Sequence, residues 1–97
     1  MIFAELEYPD RYEDFHDELL AFVRSRFAEV ESGLQGDSWI WIMDGDEKVT
    51  LDTFSSMKHQ VKSPKPGRHV EDVINAMKEE FAIKIYGEPE LEAHEDD

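Results

Sequence analysis

The chain has 97 residues, of which 24 are Asp or Glu and ten are Lys or Arg, for a formal net charge of −14 at pH 7. This charge disfavours binding to nucleic acid and to anionic membranes, and it favours fast association with basic partners. Cysteine is absent, which excludes disulfides, thiolate metal sites and thiol catalysis.

Composition nevertheless predicts a folded protein. Apolar residues make up 40% of the chain and aromatic residues 11%, too much for a disordered acidic segment. We expect one domain over residues 1–89 and a disordered acidic tail over residues 90–97. No signal peptide is recognisable, and no stretch approaches the roughly 18 apolar residues of a membrane span. The expected location is therefore cytoplasmic, without membrane association.

The first half of the chain predicts a strand and a long helix. Apolar and polar residues alternate over residues 2–8, which is typical of a strand. Asp10 is the expected N-cap of the helix, with Glu13 three residues on in a capping-box arrangement. An apolar stripe at helical spacing then continues to Val30, and Gly33 is the expected C-terminal stop.

A β-hairpin is predicted next. Residues 39–43 are apolar, Asp44 and Gly45 favour a type I′ turn, and residues 49–54 form the return strand. This register pairs Ile40 with Val49 and Trp41 with Lys48. It places four aliphatic side chains on one face: Ile40, Ile42, Val49 and Leu51. It places six residues on the other face: Trp39, Trp41, Met43, Lys48, Thr50 and Asp52.

The remaining elements complete an α+β pattern. Residues 57–62 predict a further strand, residues 63–67 a loop, residues 70–81 a second helix, and Ile83 and Ile85 a last strand. The order β-α-β-β-(β)-α-β predicts two helices on one face of a mostly antiparallel sheet, with the ferredoxin-like split-βαβ topology favoured. If the first strand does not form, the alternative is α-β-β-β-α-β.

The first helix carries a surface that we call the acidic ridge. Its carboxylates extend over about 12 Å of helix axis, a charge density comparable to that of duplex DNA. The ridge either imitates nucleic acid to a basic protein or is simply a solvated helix face whose acids the helix dipole favours. Its members are Asp10, Glu13, Asp14, Asp17 and Glu18.

The hairpin provides the second candidate surface. Trp39 and Trp41 share a face with Met43, opposite the aliphatic residues. If helices cover only the aliphatic face, the indoles lie in an exposed patch suited to association, most readily as a homodimer. The alternative is that residues 57–69 bury both indoles, or that they line the core.

Two weaker candidates involve charged side chains. A basic island comprises Lys58, Lys62, Lys65 and Arg68, with no acid between residues 53 and 70. It would either grip an anion or a second copy's acidic ridge, or protect an edge strand from pairing. The turn formed by Asp44, Asp46 and Glu47 is a weak candidate for a hard cation, because it lacks the EF-hand spacing.

No motif indicates catalysis, and no cofactor is implied. His16, His59, His69 and His94 are scattered, no serine lies in a nucleophile motif, and no phosphate-binding loop is present. The sequence therefore predicts a small non-catalytic protein that binds a basic protein partner, as an inhibitor, an immunity-type protein or an anti-defence mimic of nucleic acid. The alternatives are a regulatory domain that binds a small molecule or a metal, and a domain with a structural role only.

Overall fold

The computed structural model describes residues 1–91; residues 92–97, which make up most of the predicted tail, lie outside the described residues. The elements are β1 (Ile2–Glu7), α1 (Tyr12–Arg26), β2 (Glu29–Gln35), β3 (Asp37–Asp44), β4 (Glu47–Asp52), β5 (Gln60–Lys62), α2 (Arg68–Glu80) and β6 (Ala82–Glu90). Glu90, the first residue assigned to the tail, is the last residue of β6. The strand predicted from Ile83 and Ile85 therefore extends five residues beyond Ile85 and includes the first residue of the predicted tail.

The strands form one sheet in the order β2-β3-β4-β5-β1-β6, and every neighbouring pair is antiparallel. The two helices pack on this sheet, which confirms the α+β prediction. The predicted first strand is present and lies inside the sheet. The ferredoxin-like order is not reproduced in detail, because α1 leads to β2 at the far edge of the sheet. Four neighbouring strands have the order of the four-stranded ferredoxin-like sheet: β6, β1, β5 and β4. The β2–β3 hairpin extends this sheet beyond β4.

The end of the first helix differs most from the prediction. Helix α1 ends at Arg26, and residues up to Gln35 form β2 instead of its last turns. Val30 fits both the helical stripe and the alternation of a strand, so periodicity alone misassigned it. Gly33 is not a helix stop; it lies opposite Trp39 in the ladder. A Cβ on Gly33 would lie 2.5 Å from atoms of that indole, so the glycine makes room for the ring.

The start of this helix was also misplaced. Helix α1 begins at Tyr12 with Arg11 as its N-cap residue, and no side chain caps it. Asp10 lies one residue too early, and its carbonyl oxygen accepts a hydrogen bond from Lys58 Nζ at 3.0 Å. The Glu13 carboxylate pairs with the Arg11 guanidinium at 3.1 Å, so the predicted capping box does not form.

The hairpin of β3 and β4 has the predicted faces with a different register. Ile40 pairs with Leu51, so the predicted pairs of Ile40 with Val49 and of Trp41 with Lys48 are wrong by two residues. A shift of two leaves every side chain on the same face. The predicted facing is therefore confirmed.

The turn explains this shift. Asp44 pairs with Glu47, so the central residues are Gly45 and Asp46 rather than Asp44 and Gly45. Gly45 has a φ of +62°, and among the described residues only glycines have a positive φ. A positive φ at the first central position alone is the pattern of a type II′ turn, not of type I′.

The core lies between the helices and one face of the sheet, which we call the covered face. Alternate side chains of β3 and β4 point into it. Burying such side chains contributes about 1.5–3 kcal/mol each. The fully buried aliphatic members are Leu6, Leu19, Val23, Ile40, Ile42, Val49, Leu51, Val61, Val73 and Met77.

Candidate functional site

The opposite side of the sheet, which we call the open face, carries the two tryptophans. Trp39 and Trp41 are half-buried, and their ring centroids lie 4.5 Å apart at an interplanar angle of 39°. The Trp39 indole rests on Gly33 of the neighbouring strand. Lys48 Nζ lies 4.3 Å from the centroid of the Trp41 ring, in a cation–π contact. The indoles are therefore ordered against neighbours on their own face, outside the core.

A groove of about 320 Å³ runs beside these indoles. The Phe54 ring forms another wall and is 65% exposed. The Phe54 backbone N–H donates to Asp52 Oδ1 at 3.2 Å, which fixes the start of the loop after β4. We call this site the aromatic groove; its lining residues are Gln35, Asp37, Trp39, Trp41, Asp52 and Phe54.

The two acids of the aromatic groove differ in their partners. Asp52 pairs with Lys62 at 2.6 Å, and both side chains are largely buried, at 16% and 5% exposure. The charge of Asp52 is thus compensated within the fold. The Asp37 carboxylate has no hydrogen-bond or ion-pair partner among residues 1–91, although the residue pairs with Gln35 in the β2–β3 ladder. The groove therefore has an uncompensated negative charge at the Asp37 end.

Part of the acidic ridge lies close to this end. The Tyr12 hydroxyl donates to the carbonyl oxygen of Gly36 at 2.6 Å, which ties the start of α1 to the β2–β3 turn. The pKa of Tyr12 is raised, first by desolvation and then by the negative charges of Glu13 and Asp37. Glu13 of the ridge and Asp37 of the groove thus act on one hydroxyl, so the two predicted surfaces meet at this turn.

The other ridge residues lie along the exposed side of the helix. Asp14, Asp17 and Glu18 are exposed on α1, and Asp10 is exposed before it. Glu13 is half-buried beside Arg11. The ridge is therefore a real surface, although its first residue precedes the helix.

The basic island is not one surface. Lys58 donates to the carbonyl oxygen of Tyr8 at 2.5 Å, Lys62 is buried against Asp52, and Lys65 pairs with Glu47 at 2.8 Å. Arg68 is exposed at the start of α2. The edge-strand explanation is wrong, because β5 lies between β4 and β1. These lysines bind groups of the fold itself.

The acidic turn does not gather ligands for a cation. Asp44 and Asp46 are exposed, and Lys65 holds the pKa of the Glu47 carboxyl below its usual value. Within residues 1–91 there is no group of three or more acidic or histidine side chains placed to hold a metal ion.

A buried chain of hydrogen-bonded polar side chains, not predicted from the sequence, lies within the covered side of the protein. The Tyr8 hydroxyl lies 2.7 Å from His59 Nδ1, His59 Nε2 lies 2.6 Å from Ser38 Oγ, and Ser38 Oγ lies 2.6 Å from His16 Nδ1. Burial raises the pKa of Tyr8 to about 12. Burial, and secondarily His16, lower the pKa of His59 to about 4. Burial also lowers the pKa of His16.

These pKa shifts keep the two histidines and Tyr8 uncharged at pH 7, so the hydrogen bonds of this buried group join uncharged side chains. Ser38 and His59 are fully buried, so no substrate reaches them and the chain stabilises the core. No sequence motif could have indicated it, because its members lie on separate elements.

A second cleft, of about 350 Å³, lies at the other end of the hairpin, where α1 ends and α2 begins. Its walls include Arg26, Met43, His69 and Asp72. His69 Nε2 lies 3.0 Å from Ser63 Oγ, so this imidazole has a partner within the fold. The cleft is mixed in polarity and separate from the aromatic groove.

Comparison with known proteins gives no relative: no family model, no curated protein and no solved structure matches the chain. No helix among residues 1–91 has the length and apolar character needed to cross a bilayer.

Proposed function

We propose that this protein is non-catalytic and binds a basic protein partner through the aromatic groove and the adjoining acidic ridge. The observation that carries the proposal is the groove: two indoles and an exposed phenyl ring on the open face, with the carboxylate of Asp37 at its rim. Aromatic side chains gathered in an exposed patch are typical of protein interfaces.

Charge supports the same proposal. A net charge of −14 attracts basic partners over distances beyond direct contact and accelerates their encounter. The same charge repels the phosphates of nucleic acid. Inhibitors, immunity-type proteins, anti-defence mimics of nucleic acid and acidic adaptors all operate in this way.

The position of the serine–histidine contacts supports a non-catalytic role. Among the described residues, the shortest serine–histidine contacts join Ser38 to His59 and to His16. Ser38 is 0% exposed. A nucleophile needs access to its substrate and a base within reach. Here the bases are within reach, but access is absent.

The second cleft favours another candidate function, a regulatory domain that binds a small molecule. Pockets of this volume suit small ligands. A ligand there would change the NMR signals of Asp72 and its neighbours and leave both indole signals in place. A partner in the aromatic groove would do the reverse.

The experiment that tests the main proposal is capture from a native lysate at low and high salt. The ridge variant is Glu13→Gln, Asp14→Asn, Asp17→Asn. The groove variant is Asp37→Asn, Phe54→Ala. A control variant loses the same number of acids as the ridge variant elsewhere: Glu71→Gln, Glu80→Gln, Glu88→Gln.

We expect the wild type and the control variant to recover one basic protein at low salt and much less at high salt, because salt screens the attraction. Recovery should fall for the ridge and groove variants. Equal recovery by all four proteins, or no partner at either salt, would contradict the proposal.

Self-association through the open face is the competing use of the groove. It would bring the Asp37 carboxylates of two copies close together, so it should strengthen as salt screens their repulsion. Sedimentation at several salt concentrations checks this. A dimer that tightens with salt and is lost in the groove variant would replace the basic partner with a second copy.

A further inference from the structure

We infer that the aromatic groove is a receptor for an arginine side chain, inserted by the basic partner between the indoles and Phe54. This inference rests on the proposed function and adds the chemistry of the group that the groove takes. It follows from the ring faces, the uncompensated acid and the size of the site.

The ring faces already hold one cation. Lys48 Nζ lies 4.3 Å from the Trp41 ring centroid. The faces of aromatic rings carry partial negative charge and attract cations, with tryptophan the strongest of the aromatic side chains. A second lysine, Lys62, has its Nζ 6.0 Å from the centroid of the Phe54 ring. Trp39 and Phe54 both line the groove, and their rings offer the same kind of attraction to the cation of a ligand.

The acids select a cation over an apolar group. Asp52 is paired with Lys62, whereas Asp37 has no ion-pair partner in the described part of the chain. An apolar ligand would cover Asp37 and remove its water without replacing the lost hydrogen bonds, which is costly. A cationic ligand would pair with it.

Shape selects guanidinium over ammonium. A guanidinium is planar, stacks on indole and binds a carboxylate through two parallel hydrogen bonds. An ammonium is compact and strongly hydrated, so it loses more on entering a groove with aromatic walls. The volume of about 320 Å³ is at the lower end of the range for ligand pockets. It suits one side chain rather than a folded element.

The chain provides its own reporters for a test. It contains two tryptophans, and both line the groove. The probes are three capped tripeptides, Gly-Arg-Gly, Gly-Lys-Gly and Gly-citrulline-Gly, each titrated into the full-length protein. The readouts are the two indole N–H signals in NMR and the tryptophan fluorescence.

We expect saturable shifts of both indole signals with the arginine peptide, weaker shifts with lysine, and the weakest with citrulline, which keeps the planar group without the charge. Asp37→Asn should weaken arginine binding about tenfold, because it removes a charge-assisted pair. Phe54→Ala should weaken it as well. Asp46→Asn and Met57→Ala are the matched controls, because both residues are exposed and neither lines the groove.

Each alternative outcome overturns the inference. Equal binding of lysine would make the groove a general cation site, and equal binding of citrulline would make it a stacking site. Indole signals that move with protein concentration alone would assign the groove to a second copy. If the arginine peptide causes no shift while the wild type still captures a basic partner that the ridge variant loses, the proposed function stands and the arginine receptor fails.

Discussion

The covered and open faces of the sheet come from the same strands and differ in what surrounds their side chains. On the covered face, Ile40 and Ile42 are at most 1% exposed beneath the helices. On the open face, Trp39 and Trp41 remain half-buried and contact each other, Gly33 and Lys48. Alternation along one strand thus places core residues on one face and the residues of the proposed binding site on the other.

This difference shows why large aromatic residues lie on the less buried side. Aliphatic side chains on the covered face gain free energy by leaving water completely. The indoles on the open face keep part of their apolar surface exposed, and Lys48 covers only the Trp41 ring. A protein of this size has helices enough to cover one face of its sheet.

The largest expected effect tests the two faces directly. Ile40→Ala should lower the free energy of unfolding by about 3–4 kcal/mol, because it leaves a cavity under the helices. Trp41→Ala removes a larger side chain but should cost less, about 1–2 kcal/mol, because the indole is partly exposed and its removal opens a surface groove that water can enter instead of an enclosed cavity. Urea unfolding followed by far-UV circular dichroism measures both. A larger loss for Trp41→Ala would mean that the open face is part of the core.

A second prediction concerns the buried chain on the covered side. The pKa of His59 is about 4 in the folded protein against 6.5 for an ordinary histidine. Between these values the unfolded chain binds more protons, so stability is complete above about pH 6.5 and falls as pH drops toward 4. The expected loss between pH 7 and about pH 5 is near 2 kcal/mol. His16 adds to it with the same sign, because its pKa is also lowered.

Titration of the histidine ring protons by NMR checks the assignment. Glu47 and Glu79 also have lowered pKa values, through Lys65 and Arg26 respectively. Their contributions are lost below about pH 4.5, under the histidine window. His59→Gln should flatten the stability change between pH 7 and 5. An unchanged pH dependence in this variant would disprove the role of His59.

The covered face was predictable, because it depends on local alternation. The aliphatic residues of the hairpin were placed correctly even though the turn was misplaced by one residue, since a register shift of two preserves the faces. The β2 strand was not predictable, because Val30 fits both periodicities and the strand forms only where β3 offers its edge.

The candidate site was predictable in part. The tryptophans and the acidic ridge could be named from spacing, because the tryptophans lie on one strand and every ridge residue except Asp10 lies on one helix. Phe54 could not, since it joins the tryptophans only when the loop after β4 is in place. Asp37 shares their strand and face by alternation, but the strand was predicted to begin at Trp39, two residues later than β3 begins. The basic island was misread because its lysines find carboxylates and carbonyl oxygens distant in sequence.

The third prediction perturbs the open face while sparing the covered one. Gly33→Ala places a Cβ where the Trp39 indole lies, so the ring must move. Moving the ring loses some of its contacts, but alanine loses less conformational entropy than glycine on folding. Because these two effects oppose each other, the free energy of unfolding should change by less than about 1 kcal/mol. The Trp39 indole signal should shift strongly, and peptide binding in the groove should weaken.

Gly87→Ala is the matched control, because a Cβ there meets nothing within 4 Å. It should leave both indole signals unchanged. A large loss of stability in Gly33→Ala, with the indole signal in place, would mean that the backbone moved instead of the ring.

The smallest expected effect separates two glutamates on the outer surface of the helices. Glu79 pairs with Arg26 across the helices, with Oε1 2.5 Å from Nη2 and both side chains partly exposed. Glu18 has no ion-pair partner among residues 1–91 and adds to a strongly negative chain. Glu79→Gln should therefore lower the free energy of unfolding slightly, because it removes an exposed ion pair. Glu18→Gln should stabilise by a few tenths of a kcal/mol, because it reduces self-repulsion.

Both differences should shrink when urea unfolding is repeated at high salt, since salt screens exposed charges. If Glu79→Gln also stabilised the protein at low salt, the ion pair would contribute no more than the repulsion it opposes.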